Sequence, residues 1–84
     1  MSFRKPEDPE FRLLCVLNNL NSITVDRALT AEEIALHYGG AVEEVEALLR
    51  NLEKAGLVCT TRERMVKRYY LSPSGVLRVL SMYS

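Results

Sequence analysis

Residues 30–58, TAEEIALHYGGAVEEVEALLRNLEKAGLV, constrain this chain more than any other stretch. They spell two short amphipathic helices around a double glycine. Thr30 followed by Glu33 has the spacing of a capping box, in which the hydroxyl accepts from the Glu33 amide and the carboxylate reaches back to the Thr30 amide. Ala31, Ile34, Ala35 and Tyr38 then share one helical face. The Gly39-Gly40 pair ends that helix, because glycine takes the left-handed cap conformation without a Cβ clash. Val45, Leu48, Leu49 and Leu52 form the stripe of the second helix, with Gly56 as its stop.

A short helix, a tight turn with glycine and a longer helix make a helix-turn-helix. After Gly56 the apolar period drops from 3.6 to 2. Residues 58–62 and 66–71 read as strands, with Glu63, Arg64 and Met65 at the tip. In the second strand Tyr69 and Leu71 should face the core and leave Tyr70 half exposed. Ser72 as cap and Pro73 at the first helical position open a last helix, with Val76, Val79, Leu80 and Tyr83 as its stripe. Upstream, residues 1–9 carry two prolines and alternating charges and read as a flexible arm. Residues 10–84 form a single domain. Its first helix runs from residue 10 to about 21, striped by Leu13, Val16, Leu17 and Leu20 and widened by Phe11, Leu14 and Cys15. Ile23 or Val25, in the segment that follows, is expected to enter the core.

The series T-x-E-E-I-A, Gly-Gly, V-x-x-x-L-x-x-L-E-x-A-G-L-V, followed by VCTTRERMVKRYYLSPSG, resembles winged helix-turn-helix transcription regulators, in particular small MarR/PadR/ArsR-like DNA-binding domains. The resemblance covers about residues 10–80. It implies a mainly α fold with a small β-hairpin (α+β): about four helices and a two- to three-stranded wing, with a short strand near residues 28–29 pairing with the wing. It further implies double-stranded DNA as partner. Arg50 and Asn51, with Ala47 beside them, would read bases. Thr30, Arg62, Arg64, Lys67 and Arg68 would hold the backbone. Glu44 joins the candidates because a carboxylate can accept from cytosine N4.

The first and last helices are more apolar than one contact needs, since a surface helix of a small domain requires only about a 100° stripe. A homodimer through Phe11, Leu14, Val76, Val79, Leu80 and Tyr83 is therefore expected. The alternative is that the wing and the last helix cover the excess.

Charge pulls in two directions. Eleven basic and eleven acidic residues cancel, with a pI near 6.6, whereas nucleic-acid-binding domains usually carry a basic footprint. The wing is locally cationic: Arg62, Arg64, Lys67 and Arg68 stand against Glu63. The helix-turn-helix is anionic: Glu32, Glu33, Glu43, Glu44, Glu46 and Glu53 stand against Arg50 and Lys54. A charged hairpin also serves to block edge-to-edge strand pairing, and carboxylates in a first turn also suit the helix macrodipole. The acidic turn, the neutral total and Leu36, placed on the solvent side, suit a second function: a winged-helix adaptor that binds protein and not DNA. A fragment of a larger regulator is a third.

Catalysis ranks last. The single histidine, His37, has no nucleophile arranged with it. Cys15, His37 and Cys59 offer only three metal ligands on three elements, so no metal is expected. The two thiols read as small hydrophobes, with a disulfide as the alternative. No lysine follows the glycine pair, which rules out a phosphate loop. Neither a cofactor nor a small-molecule effector is evident. The polar start MSFRKPEDPE is not an export signal, and no apolar run approaches the roughly 18 residues of a bilayer span, so a cytoplasmic location with no membrane partner is expected.

Overall fold

Asp8 caps the first helix, α1 (Pro9–Asn19), by accepting from the Glu10 amide at 3.2 Å, and Pro9 sits where its missing N–H costs nothing. The structure, a computed structural model, describes residues 8–81. Pro9, assigned above to the arm, thus belongs to the helix, and residues 1–7 lie outside the described residues. Leu13, Leu14 and Leu17 of α1 are buried. The helix stops at Asn19 and Asn21 turns to φ 61°, a left-handed conformation that asparagine tolerates better than most residues.

The connecting segment departs from expectation. Ile23 and Val25 are both exposed, the latter in a short 3-10 turn (Val25–Arg27). The buried residue is Ser22. Its hydroxyl donates to the Tyr69 carbonyl at 3.1 Å, and its own carbonyl accepts from the Leu71 amide at 2.8 Å. Polar groups of Ser22 anchor the start of the segment, and buried Ala28 with Leu29 against the core supply the apolar contact at its end. Further on, Leu29 and Tyr69 exchange backbone hydrogen bonds of 2.9 and 2.7 Å, an isolated bridge where a short strand was expected, so the sheet keeps two strands.

The helix-turn-helix forms as its sequence dictates. α2 (Ala31–Tyr38) has both halves of the capping box: Glu33 N to Thr30 Oγ1 at 3.1 Å, and Thr30 N to Glu33 Oε1 at 2.9 Å. Gly39, at φ 86°, ends it. Arg12 of α1 donates from Nη2 to the Tyr38 carbonyl at 2.8 Å, and its guanidinium lies 4.2 Å from the Tyr38 ring centre. That contact satisfies one of the carbonyls orphaned at a helix end. α3 (Val42–Lys54) buries Val45, Leu49 and Leu52, while Leu48 is half-buried.

The wing pairs β1 (Val58–Glu63) with β2 (Val66–Leu71), antiparallel, from Val58↔Leu71 to Glu63↔Val66. Tyr69 and Leu71 are buried and Tyr70 is half-buried, as the alternation requires. The loop between the strands is only Arg64-Met65, at φ 54° and 68°. Positive φ at both central residues is the type I′ hairpin turn, which asparagine and glycine ordinarily fill. α4 (Pro73–Ser81) closes the chain. Buried residues of α1, α2, α3, both strands and α4 share one core. The result is an α+β winged helix-turn-helix with four α-helices among the described residues. No helix of these residues is long and apolar enough to cross a membrane.

α4 is seated by close approach. Ser72 Oγ donates to the Gly56 carbonyl at 2.6 Å and accepts from the Gly75 amide at 3.0 Å, while the Ser72 amide donates to the Leu57 carbonyl at 3.1 Å. A Cβ on Gly75 would collide with that Leu57 carbonyl oxygen, which is backbone and cannot swing aside. Gly75→Ala should therefore cost about 1–3 kcal/mol of stability, as overpacking does. Urea unfolding checks this against Ser74→Ala at the exposed neighbouring position; equal midpoints for the two variants would contradict the seating.

Candidate nucleic-acid interface

The outer row of α3 consists of Glu43, Glu44, Ala47, Arg50, Asn51 and Lys54, all exposed, with Glu46 half-buried. Ala41 caps this helix without a side-chain hydrogen bond. Carboxylates in the first turn thus face the positive end of an uncapped helix, which accounts for Glu43 and Glu44 without a ligand. The expected base-reading positions Ala47, Arg50 and Asn51 lie on the solvent side, and so does Glu44. Thr30 is half-buried, and its Oγ1 accepts from the Glu33 amide, which leaves the hydroxyl hydrogen free to donate.

The wing cations do not form one sheet of charge. Arg62 and Lys67 are cross-strand partners and share a face, while Arg68, opposite Thr61, lies on the other. Lys67 Nζ stands 3.8 Å from Glu53 Oε1 of α3 and 5.4 Å from the centre of the Tyr69 ring. Arg68 Nη1 stands 3.6 Å from Glu33 Oε1 of α2, and its Nε is buried without a hydrogen-bond partner. Arg68 also lines an open groove with Val25, Asp26, Ala28, Thr61 and Glu63. Arg62 and Arg64 are exposed, the latter at the tip. Two of the four cations are therefore held by carboxylates of the helix-turn-helix. The Lys67–Glu53 pair brings β2, two residues past the tip turn, to α3.

Tyr69 sits at this junction. Burial raises its hydroxyl pKa above the usual 10.0, and the charges of Glu46 and Glu53 raise it further against the opposing pull of Arg50. The side chain from the wing is thus within electrostatic reach of three residues of α3.

The expected dimer residues divide. Leu14 and Val79 are spent in this chain's own core and have no surface to offer a partner. Much of the wider apolar face of α1 is covered internally, because α2, α3 and α4 all pack on it. Phe11 and Val76 are half-buried against the core. Leu80 is 53% exposed, and Leu77, beside the α4 stripe and not among the expected dimer residues, is 66% exposed. Tyr83 lies outside the described residues. Leu36 is 82% exposed, next to a shallow groove lined by Leu20, Leu29, Glu33 and His37. Cys15 and Cys59 are half-buried thiols. Among the described residues no three His, Cys, Asp or Glu side chains gather where a metal ion could sit.

Sequence reasoning missed Glu33 and Glu53 as partners of wing cations. Each looks like an ordinary helix-surface carboxylate, and its partner lies far along the chain. Glu33 carried a signal, but for its capping role alone.

Comparison with solved structures agrees with the fold. MepR of Staphylococcus aureus, a transcription regulator of the multidrug efflux pump MepA, superposes with a TM-score of 0.78 at 25% identity over 90% of this chain and 54% of its own. A MepR–DNA complex gives 0.74 at 24% identity, covering 90% of this chain and 63% of that one. BpsR of Bordetella bronchiseptica, whose DNA binding is regulated by 6-hydroxynicotinic acid, gives 0.75 at 18% identity, covering 89% and 51%. These structural neighbours are winged-helix transcription regulators, and this chain spans about half their length. No protein-family model and no curated protein matches the sequence.

The Tyr69 environment has a measurable consequence. A raised pKa means that the folded chain holds the phenolic proton more tightly than the unfolded chain does. That stability is complete below pH 10.0 and is lost as pH rises through the folded-state value. Tyr69→Phe should therefore lose less stability than the parent as pH rises from 10.0 through the folded-state value. Thermal melts across that range check it; parallel curves for the two proteins would exclude a buried, ionisable Tyr69.

Proposed function

We propose that this chain is a sequence-specific double-stranded DNA-binding domain that acts in transcriptional regulation as a homodimer in the cytoplasm. The observation that carries this reading is the junction of wing and α3. Lys67 is paired with Glu53 of α3, the exposed Arg62 lies opposite Lys67 across the hairpin, and Ala47, Arg50 and Asn51 are exposed on that same helix. A helix in the major groove and a basic hairpin over the neighbouring backbone would use both at once. In that pose Arg50 and Asn51 meet base edges, whereas Thr30, Arg62 and Arg64 meet phosphate. Similarity to a regulator solved with DNA supports the same partner. The exposed Leu77 and Leu80 of α4, with half-buried Phe11, are the apolar surface available to a second copy. Ethidium bound to MepR and 6-hydroxynicotinic acid acting on BpsR are properties of those longer proteins.

A second reading is favoured by one observation. Leu36 stands almost wholly in water beside an apolar groove, on the helix before α3. A protein partner seated there would make the domain an adaptor, and the acidic start of α3 would then carry no penalty.

Fluorescence anisotropy with a mixed-sequence duplex, titrated with salt, separates the two. The regulator binds with a steep salt dependence, and Arg64→Ala flattens the slope of log K against log salt by about one unit while weakening all duplexes alike. Arg50→Ala relaxes sequence preference instead. No binding at low salt would leave the adaptor. The carboxylates give a prediction of the opposite sign. Glu53→Gln frees Lys67, removes a negative charge beside the duplex, and should tighten binding by about threefold to tenfold at low salt, with the gain fading as salt rises. Weaker binding by Glu53→Gln would mean that Glu53 positions Lys67 for contact and does not withhold it.

A further inference from the structure

The tip of the wing is built from the wrong residues for its shape. The register closes at Glu63↔Val66, so the loop is Arg64-Met65 alone, and both residues have positive φ, 54° and 68°. Side chains with a Cβ are strained there, and asparagine or glycine would relieve it. Met65 also gains nothing from burial, since it is 90% exposed, and Val66 next to it is 41% exposed. An apolar side chain held in water on a strained backbone is costly on both counts. The Arg64 side chain beside it supplies charge but no reason for the methionine.

The groove around Arg68 is lined by Asp26 and Glu63 as well as by Arg62, and nothing in it specifies a ligand. The surface around Leu36 has nothing that specifies its occupant.

We propose that Met65 is an apolar wedge that enters the minor groove of bound DNA and partly unstacks one base step, so that the duplex bends at the wing. This rests on the duplex-binding reading above and adds a role to it. Three properties suit the task. The side chain is unbranched and soft, and methionine is among the apolar residues that minor-groove proteins insert as wedges. It is flanked by the Arg64 guanidinium, which the negative potential of a narrow minor groove attracts. The two-residue turn keeps the tip slender and fixes the direction in which Met65 projects. Steps that unstack easily, TA and CA/TG, should be preferred under the tip, although no hydrogen bond reads them. Met65 would then be a specificity-determining residue that acts through the deformability of DNA.

The variants are Met65→Gly, which removes the wedge and relieves the turn, and Met65→Leu, which keeps an apolar tip. The probes are two duplexes of about 25 base pairs, one rich in TA steps and one without TA or CA/TG steps, labelled at both ends for energy transfer. The parent protein should shorten the end-to-end distance of the first duplex and prefer it over the second. Met65→Gly should raise Tm by about 4–8 °C, leave the salt slope unchanged, abolish the shortening and reduce the preference for the TA-rich duplex by about tenfold. Met65→Leu should still bend DNA. The parent binding without bending, or Met65→Gly bending as the parent does, would overturn the wedge and leave duplex binding standing. A parent that binds neither duplex at low salt would remove both readings together.

Discussion

The wing lies where it does because one backbone carbonyl, that of Tyr69, is held from two sides. It accepts from the Leu29 amide and from the Ser22 hydroxyl, and the Tyr69 amide returns a bond to Leu29. These bonds join β2 to the segment that leads directly into α2. Backbone groups buried at such a seam must be paired, so the register of wing against helix-turn-helix has little freedom to slip. Every relation across the interface follows from it. Lys67 comes to stand by Glu53, Arg68 by Glu33, and the Tyr69 ring under the charges of α3. A shift of one residue would exchange the two faces of β2 and put Arg68 where Tyr69 is buried.

At the other end of the hairpin a second constraint closes the domain. The carbonyls of Gly56 and Leu57 receive Ser72, and the bare α-carbon of Gly75 lets α4 settle on them. The wing therefore begins and ends on the same short turn after α3. Strain is absent from this root and is found at the tip, where Arg64 and Met65 accept positive φ. Rigid root and strained tip are what is expected if the tip's residues serve something other than the fold.

Much of this was legible beforehand, and the reason is local. Thr30 with Glu33, Gly39, Gly56 and Ser72-Pro73 act within one turn of their own positions, so their spacing announced helix starts and stops. The alternation of Tyr69, Tyr70 and Leu71 announced the inner face of β2. What stayed hidden depends on residues far apart in sequence. Ser22 gave no sign that it would be buried, and two β-branched neighbours, Ile23 and Val25, looked like better plugs. Leu14 and Val79 looked surplus to one domain because a stripe does not say how many helices will cover it. Arg12 on Tyr38 and the two ion pairs of the wing join separate elements, and nothing in either partner's neighbourhood marked it. The candidate interface was thus legible as a list of exposed positions on α3 and the wing, but its electrostatics were not. Half of the apparent basic patch is answered by carboxylates across the junction.

That arrangement has an effect at a distance. A particle with no net charge is scarcely drawn toward a polyanion, but one whose opposite charges sit at separate places experiences a torque in its field. With eleven charges of each sign, exposed Arg62 and Arg64 on the hairpin and exposed Glu43 and Glu44 at the start of α3, this domain would be turned before it is pulled. Its arrival would be an aligned approach at an ordinary rate, in contrast to the accelerated capture of strongly basic proteins. Selectivity would then begin with which way the molecule points.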